Sequence, residues 1–514
     1  MHLGGCEFSW FIIAQNPAVA GRKAYKVVLM MRISGAIKWF GLITAAAVIW
    51  APAAGAPAAR AARCNVLFIT ADDLGPYLGC YGETLIRTPN IDRLAASGVQ
   101  FDIAYVAQAS CSPSRSAMFT GMYVHSTGQY GLTSTGLSLH SYLHDATIPN
   151  LLKQAGYRTG IIGKLHVAPG GSFQFDFRQT NHVNARKVRW VAEKADEFWT
   201  QTGDEPFFLM VNYTDPHAFR DPKDRKWYFP PQVDGLPENP LPPGPRTIFP
   251  FQQIDTPAER IRTAGYYNAV QRVDAGVGML MDVLGKHGYA GNTLVIFVGD
   301  HGPPFCRGKT TVYEAGVRIP FLLRWPGVSR PMRSQAMVST VDILPTILDA
   351  AGVEIPKHVQ GRSLRPVASD PNAPWREYLV SEFHFHGRWP FYPRRAIRDQ
   401  RYKLIHNLLA GKARPWPEID GDPAYRTSQE PRYEDTPIRR AFDTFADPPE
   451  FELYDLEEDP IEFHNLAGKP GYEAIQQRLR DALLRWRKAT DDPFLDPAFI
   501  EKMIRYSKQP SQPR

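Results

Sequence analysis

Four short apolar runs in this chain end alike, and that repetition restricts the possible folds more than any other feature. Residues 65–70 (NVLFIT) run into Asp72 and Asp73, and residues 157–163 (YRTGIIG) into Lys164 and His166. Residues 206–213 (PFFLMVNY) run into Asp215 and His217, and residues 292–298 (NTLVIFV) into Asp300 and His301. Each run has the length of a strand, and unbroken apolarity is the pattern of a strand buried on both faces. Helical signals lie between them: 90–97 stopped by Gly98, 147–155 stopped by Gly156, 263–284 with a hydrophobic stripe, and 342–351. Residues 320–324 read as one more strand. Strands alternating with helices predict an α/β fold, a mainly parallel sheet sandwiched by helices. Ligands of such sheets sit beyond the carboxyl ends of the strands. One Asp after a strand is often only a helix cap; four polar endings together predict a site there.

The pattern changes after about residue 370. Residues 396–407 (AIRDQRYKLIHN) and 451–456 (FELYDL) alternate as antiparallel strands do, and 472–488 places Ile475, Leu479, Leu483 and Trp486 on one helical face. The proline-rich stretch 229–250 reads as a long surface excursion. At the other end, with Met31 read as the start, Arg32 and Lys38 precede an apolar core at 40–50 and small residues at Ala51, Ala53, Gly55 and Ala56. That is the pattern of a cleaved export signal, so the protein is expected to be periplasmic or secreted. The apolar core is too short for stable membrane insertion.

The net charge of +7 belongs mostly to this leader. Residues 1–63 hold seven basic side chains and one acid; 59 less seven and 52 less one leave 52 basic against 51 acidic. A uniformly basic, polyanion-binding body is therefore not supported, nucleic-acid binding included, while a local basic patch stays open. None of the five cysteines has metal-ligand spacing such as C-x-x-C, and a Cys64–Cys80 bridge stays open. Three acids and a His at strand ends suggest instead a hard divalent cation with oxygen ligands.

The sharpest motif is Cys111-Ser112-Pro113-Ser114-Arg115. Taken alone it could be a buried cysteine at a helix start. It resembles the signature of the type I sulfatases, in which the cysteine is oxidised to formylglycine. Further stretches follow in the family's order: Asp72-Asp73, Gly163-Lys164-Leu165-His166, Asp215-Pro216-His217, Gly299-Asp300-His301-Gly302, Lys309 with Tyr313-Glu314, and Glu452-Leu453-Tyr454-Asp455-Leu456. Within the family the chain resembles the heparan N-sulfatases (sulfamidases), through QAGYRTGIIGKLHV at 154–167, NTLVIFVGDHGPPF at 292–305 and YPRRAIRDQRYKLIHNL at 392–408.

The resemblance implies an alkaline-phosphatase-like catalytic sulfatase domain over 64–370 and a smaller C-terminal α+β subdomain with an antiparallel sheet over 371–514. It implies one Ca2+ held by Asp72, Asp73, Cys111, Asp300 and His301, the last standing where human-type enzymes usually carry Asn. Cys111 becomes the formylglycine nucleophile, through a maturation enzyme as partner. One hydroxyl of its hydrate attacks sulfur and the other expels sulfate. Arg115 orients the hydrate, Lys164 and Lys309 neutralise the sulfuryl group, His166 assists the hydrate, and His217 protonates the leaving group. His386 and Arg388 are assigned to the substrate; where the pattern continues after His386 with an acid, this chain has Gly387 then Arg388. The implied substrate is a sulfated carbohydrate, foremost the N-sulfate of glucosamine in heparan. The alternatives are an O-sulfatase, a phosphodiesterase or phosphonate monoester hydrolase of the same fold, and a non-catalytic glycan-binding relative. The oligomeric state stays open, a homodimer included.

Overall fold

A computed structural model describes residues 63–181, 183–387 and 390–509. The export signal, Met31 and Arg388 lie outside the described residues. The first strand, β1 (Asn65–Ala71), is followed by β2 (Val99–Phe101), β3 (Arg158–Gly163), β4 (Phe177–Gln179), β5 (Phe207–Tyr213), β6 (Thr293–Gly299), β7 (Phe321–Arg324) and β8 (Met332–Ser334). They form one eight-stranded sheet in the order β8-β2-β7-β6-β1-β5-β3-β4. Every neighbouring pair is parallel except the two that involve β7, which runs against both β6 and β2.

Every residue of β1, β5 and β6 is buried, because helices cover both faces of the sheet. Alternate residues serve two cores. Val66, Phe68, Phe208, Met210 and Ile296 point to one, together with the helices α2 (Cys111–Thr120), α3 (Ile148–Gln154) and α6 (Ile343–Ala351). Leu67, Ile69, Leu209, Val211 and Val295 point to the other, with α1 (Pro89–Ala96), α4 (Val188–Thr200) and α5 (Pro257–Lys286). Helix α5 starts earlier than its hydrophobic stripe suggests. Thr256 caps it by accepting from the Glu259 amide at 3.2 Å, and Pro257 fills the first turn. The proline-rich excursion is pinned to this second core through Phe229, Leu236 and Phe249, all buried.

A second sheet of four strands follows: β9 (Leu379–Phe383), β10 (Arg394–Arg398), β11 (Tyr402–Asn407) and β12 (Phe451–Asp455), antiparallel throughout and in chain order. The run 396–407 is thus a hairpin rather than one strand. Helix α7 (Glu473–Ala489) buries Leu479 and Leu483, with Ile475 and Trp486 half-buried beside them. Cys64, Cys80, Cys111 and Cys306 are free thiols. No helix among the described residues is long and apolar enough to cross a membrane.

Candidate active site

The polar residues gather because the strands that carry them lie side by side, β6-β1-β5-β3, and end on one edge. The turn after β1 is held by both neighbours. Asp72 donates its amide to the Tyr213 carbonyl at 3.1 Å, and Asp300 donates to the Ala71 carbonyl at 3.0 Å. Asp73 turns into the left-handed region (φ 65°), which Asp tolerates better than most residues, and its amide donates to Asp300 Oδ1 at 2.8 Å. Strand β3 ends at Gly163 with φ 92°, where a Cβ would stand 2.0 Å from the Asn212 carbonyl oxygen. Only glycine lets β3 deliver Lys164 so close to β5. Cys111 opens α2, a helix buried along its whole length.

Around Cys111 the charges interlock. Its Sγ lies 3.3 Å from His301 Nε2, and His301 Nδ1 lies 2.9 Å from the Gly302 carbonyl oxygen. His301 Nε2 is 3.2 Å from Asp73 Oδ1. Lys164 Nζ pairs with Asp72 Oδ2 at 2.6 Å, and Lys309 Nζ with Asp73 Oδ2 at 3.1 Å. Arg115 donates from Nε to Asp300 Oδ2 at 3.0 Å and from Nη1 to Asn212 Oδ1 at 2.8 Å. His217 Nε2 stands 3.9 Å from Asp73 Oδ2 while its Nδ1 meets the Ala218 carbonyl oxygen at 2.7 Å.

Burial and the crowding of Asp72, Asp73 and Asp300 set the electrostatics, against the pull of Lys164, Lys309, Arg115 and His301. Burial and the neighbouring Asp72 push Asp300 up to about 7, against the pull of His301 and Arg115. Burial raises Asp73 well above the carboxylate range despite Lys309 and His301. Asp72 goes the other way, because Lys164, His217 and Arg115 together outweigh its burial. Burial works against the Cys111 thiolate too, yet Lys164 and Lys309 bring the thiol down to about 6. His301 rises to about 9, its burial overcome by Asp300 and Asp73. Burial and Lys164 depress His166; burial and Lys309 depress His217.

A divalent cation fits this donor set. Ligand atoms of Asp72, Cys111, Asp300 and His301 lie within 4.8 Å of one another, as do those of Asp73, Cys111 and His217. Asp72 Oδ1 and Asp73 Oδ1 are buried and accept no hydrogen bond; Arg115 Nη2 at 3.5 Å and His301 Nε2 at 3.2 Å are ion-pair neighbours only, which leaves both oxygens able to take a metal cation.

Of the residues expected at the site, Asp72, Asp73, Cys111, Arg115, Asp300, His301, Lys164, Lys309 and His217 are joined by these contacts. His166 adopts φ 51° with its Nδ1 buried and unpartnered. His386 is joined through Ser110, whose Oγ lies 2.9 Å from His386 Nδ1, and burial with Lys309 nearby pushes it down to about 3. Asp215 turns elsewhere: it ties Arg186 at 2.5 Å and Arg272 at 2.6 Å. Two members were not foreseen. Asp420 pairs with Lys309 at 3.1 Å, and Asn212 accepts from both Arg115 and Thr70. Asn212 lies inside the apolar run of β5, which was its only signal. Asp420 sits in an irregular Ile-Asp-Gly-Asp turn with none.

Residues 64–353 match the sulfatase family, and residues 299–431 match the C-terminal region of N-sulphoglucosamine sulphohydrolase. The human N-sulphoglucosamine sulphohydrolase is 33% identical over 85% of this chain and 92% of its own length. An ulvan-active sulfatase of Formosa agariphila is 30% identical over 83% of this chain and 80% of its own. A solved structure described as a complex with its substrate D-glucosamine-2-N,6-O-disulfate shares the fold, with a TM-score of 0.62 at 23% identity, over 84% of this chain and 98% of that one. The matched stretch carries the cysteine signature and all four polar strand endings on an alkaline-phosphatase-like sheet, and the chain belongs to the sulfatase family, a family of hydrolases.

Proposed function

We propose that the chain is an N-sulfoglucosamine sulfohydrolase acting on heparan-type sugars. What carries this reading is the reach of the second match. Residues 299–431 include His386 and Asp420, so the likeness to N-sulphoglucosamine sulphohydrolase extends to the rim of the site and not only to its floor.

In this reading Cys111 is the precursor of formylglycine, whose hydrate supplies one hydroxyl as nucleophile and a second to release sulfate. Asp72, Asp73, Asp300, His301 and residue 111 hold a divalent cation, and three carboxylates suit calcium; when bound, it lowers the pKa of the attacking hydroxyl and neutralises sulfate oxygen. Arg115 fixes Asp300 and Asn212, and so the ligand cluster beside the nucleophile. Lys164 and Lys309, buried against Asp72 and Asp73, direct their remaining N–H donors to the sulfuryl oxygens. His166 serves the hydrate. His217 keeps Nδ1–H on the Ala218 carbonyl, so Nε2 faces the site, and as the imidazolium it delivers the Nε2 proton to the departing amine. The leader directs export, and a formylglycine-generating enzyme is the maturation partner.

The test is turnover by matured protein of N-sulfoglucosamine against 6-O- and 2-O-sulfated glucosamine. Preference for the N-sulfate by tenfold or more is expected; preference for either O-sulfate overturns the reading. One observation favours that second outcome: Gly387 stands where the sulfamidase pattern has an acid.

A further inference from the structure

Beside the site lies a pocket of about 110 Å³ lined by Thr310, His386, Tyr392, Arg394, Trp416 and Ile419, among others. It borders the reaction centre through the chain itself. Thr310 follows Lys309, Ile419 precedes Asp420, and His386 touches Ser110 beside Cys111.

Arg394 is the anomaly. It is 1% exposed, and its Nε, Nη1 and Nη2 are all buried without a hydrogen-bond partner. Its guanidinium lies over the Tyr392 ring at 4.9 Å, and the Tyr392 hydroxyl is likewise buried and unpartnered. The acid on the pocket wall, Glu418, is 3.3 Å from Arg426 instead. A buried guanidinium normally has a carboxylate or several carbonyls, and leaving it bare is among the costliest arrangements a core can hold. Elsewhere in this protein buried arginines are served: Arg395 by Asp492, Arg272 by Asp215, Arg307 by four backbone carbonyls.

We infer that Arg394 and Tyr392 form a subsite for a second anionic group of the substrate, a sulfate or carboxylate other than the one cleaved, with the 61%-exposed Trp416 offering its face to the sugar. The inference rests on the sulfated-sugar reading above, and it makes the enzyme selective for multiply charged sugars. A guanidinium and a hydroxyl donating to one anion form charge-assisted bonds of the strong kind.

The test measures competitive inhibition of 4-nitrophenyl sulfate hydrolysis, and so does not depend on which sugar sulfate is cleaved. The probes are glucosamine N-sulfate, glucosamine N,6-disulfate, and a disaccharide of N-sulfoglucosamine with a uronic acid. The wild type is expected to bind at least one of the two dianionic probes about ten- to a hundredfold tighter than the monosulfate, the usual worth of such a bond. The probe preferred identifies sulfate or carboxylate as the partner. Arg394→Met should erase that ratio, and Arg394→Lys should keep part of it.

Thermal melting supplies a second readout. Removing a buried guanidinium that makes no hydrogen bond raises the melting temperature, so Arg394→Met should melt higher than wild type. Asn407, opposite Arg394 across the strand pair, carries an equally unpartnered Oδ1. Were Arg394 merely its structural partner, the variant would melt lower. An unchanged ratio in Arg394→Met, or a lower melting temperature, overturns the inference. A retained ratio difference with no N-sulfate turnover overturns the proposed function and leaves this subsite standing.

Discussion

Two buried ionic clusters in this protein use the same side chains to opposite ends. One surrounds Cys111. The other joins the second sheet to the last helices: Glu382 accepts from the His125 amide at 2.9 Å and meets its Nδ1 at 2.8 Å, while Arg395 grips Asp492 at 2.9 and 2.7 Å and Arg487 adds a third bond at 2.7 Å. In that cluster every carboxylate oxygen has a donor, and burial is outweighed by His125 and Arg395, so Glu382 falls to about 2. Around Cys111 two carboxylate oxygens accept no hydrogen bond, and burial lifts Asp73 and Asp300. A satisfied network rigidifies; an unsatisfied one is kept for something it has yet to bind. Composition and burial cannot tell the two apart, whereas the count of unpartnered carboxylate oxygens can.

The comparison breaks most sharply at the proposed nucleophile. Cys111→Ala should lower aryl-sulfate turnover by about a millionfold, the scale of losing a covalent nucleophile. Its melting temperature should stay near that of the wild type. Peptide mass spectrometry of wild-type protein from its host should find an aldehyde at 111; a pure thiol with full activity refutes the mechanism. Next in size is His217→Ala. On N-sulfoglucosamine it should lose about a hundred- to ten-thousand-fold, the range of general-acid catalysis, and far less on 4-nitrophenyl sulfate, whose phenolate leaves unaided. Equal losses on both substrates would move His217 to the sulfuryl-binding set.

The satisfied cluster should answer in stability and not in rate. Glu382→Gln should cost about 3–5 kcal/mol in chemical unfolding, the toll of breaking a buried pair, with kcat of the folded protein kept. The sign of its pH dependence follows from the direction of the shift. A carboxylate held at about 2 against 4.5 stabilises fully above pH 4.5 and loses that contribution as pH falls toward 2. The loss is on the order of 3 kcal/mol, and Glu382→Gln should flatten that acid limb. The smallest change in stability is expected from chelation. Stripping divalent cations should remove activity and about 3 kcal/mol of stability, restored by calcium at about a hundredfold excess over its Kd. Full activity in rigorously stripped protein refutes the cation site.

The sheet was readable in the chain because β1, β5 and β6 are buried on both faces and so spell unbroken apolar runs. The short strands β2, β4 and β8, three residues each, are below the length at which periodicity speaks. The reversal of β7 was invisible, since hydropathy carries no strand direction. At the site, Asp72, Asp73, Lys164 and Asp300 announced themselves by following strands. Asp420 did not, because it reaches Lys309 from a loop more than a hundred residues downstream, and only the folded chain joins them. Asp215, placed by the same rule as its neighbours, proved to be a clasp for Arg186 and Arg272.

Cys111 is 2% exposed, at the head of a helix with no exposed residue. In the proposed maturation, an enzyme that must seize this thiol and oxidise it cannot do so through such a wall. The chemistry proposed at 111 therefore has a deadline set by synthesis: it must be finished while the chain is still open, before β6 and the loop of Asp420 arrive to close the site. Protein that folds first is sealed in an inert form. The yield of active enzyme from a foreign host then depends on a race between folding and oxidation, and slowing the first should raise the second.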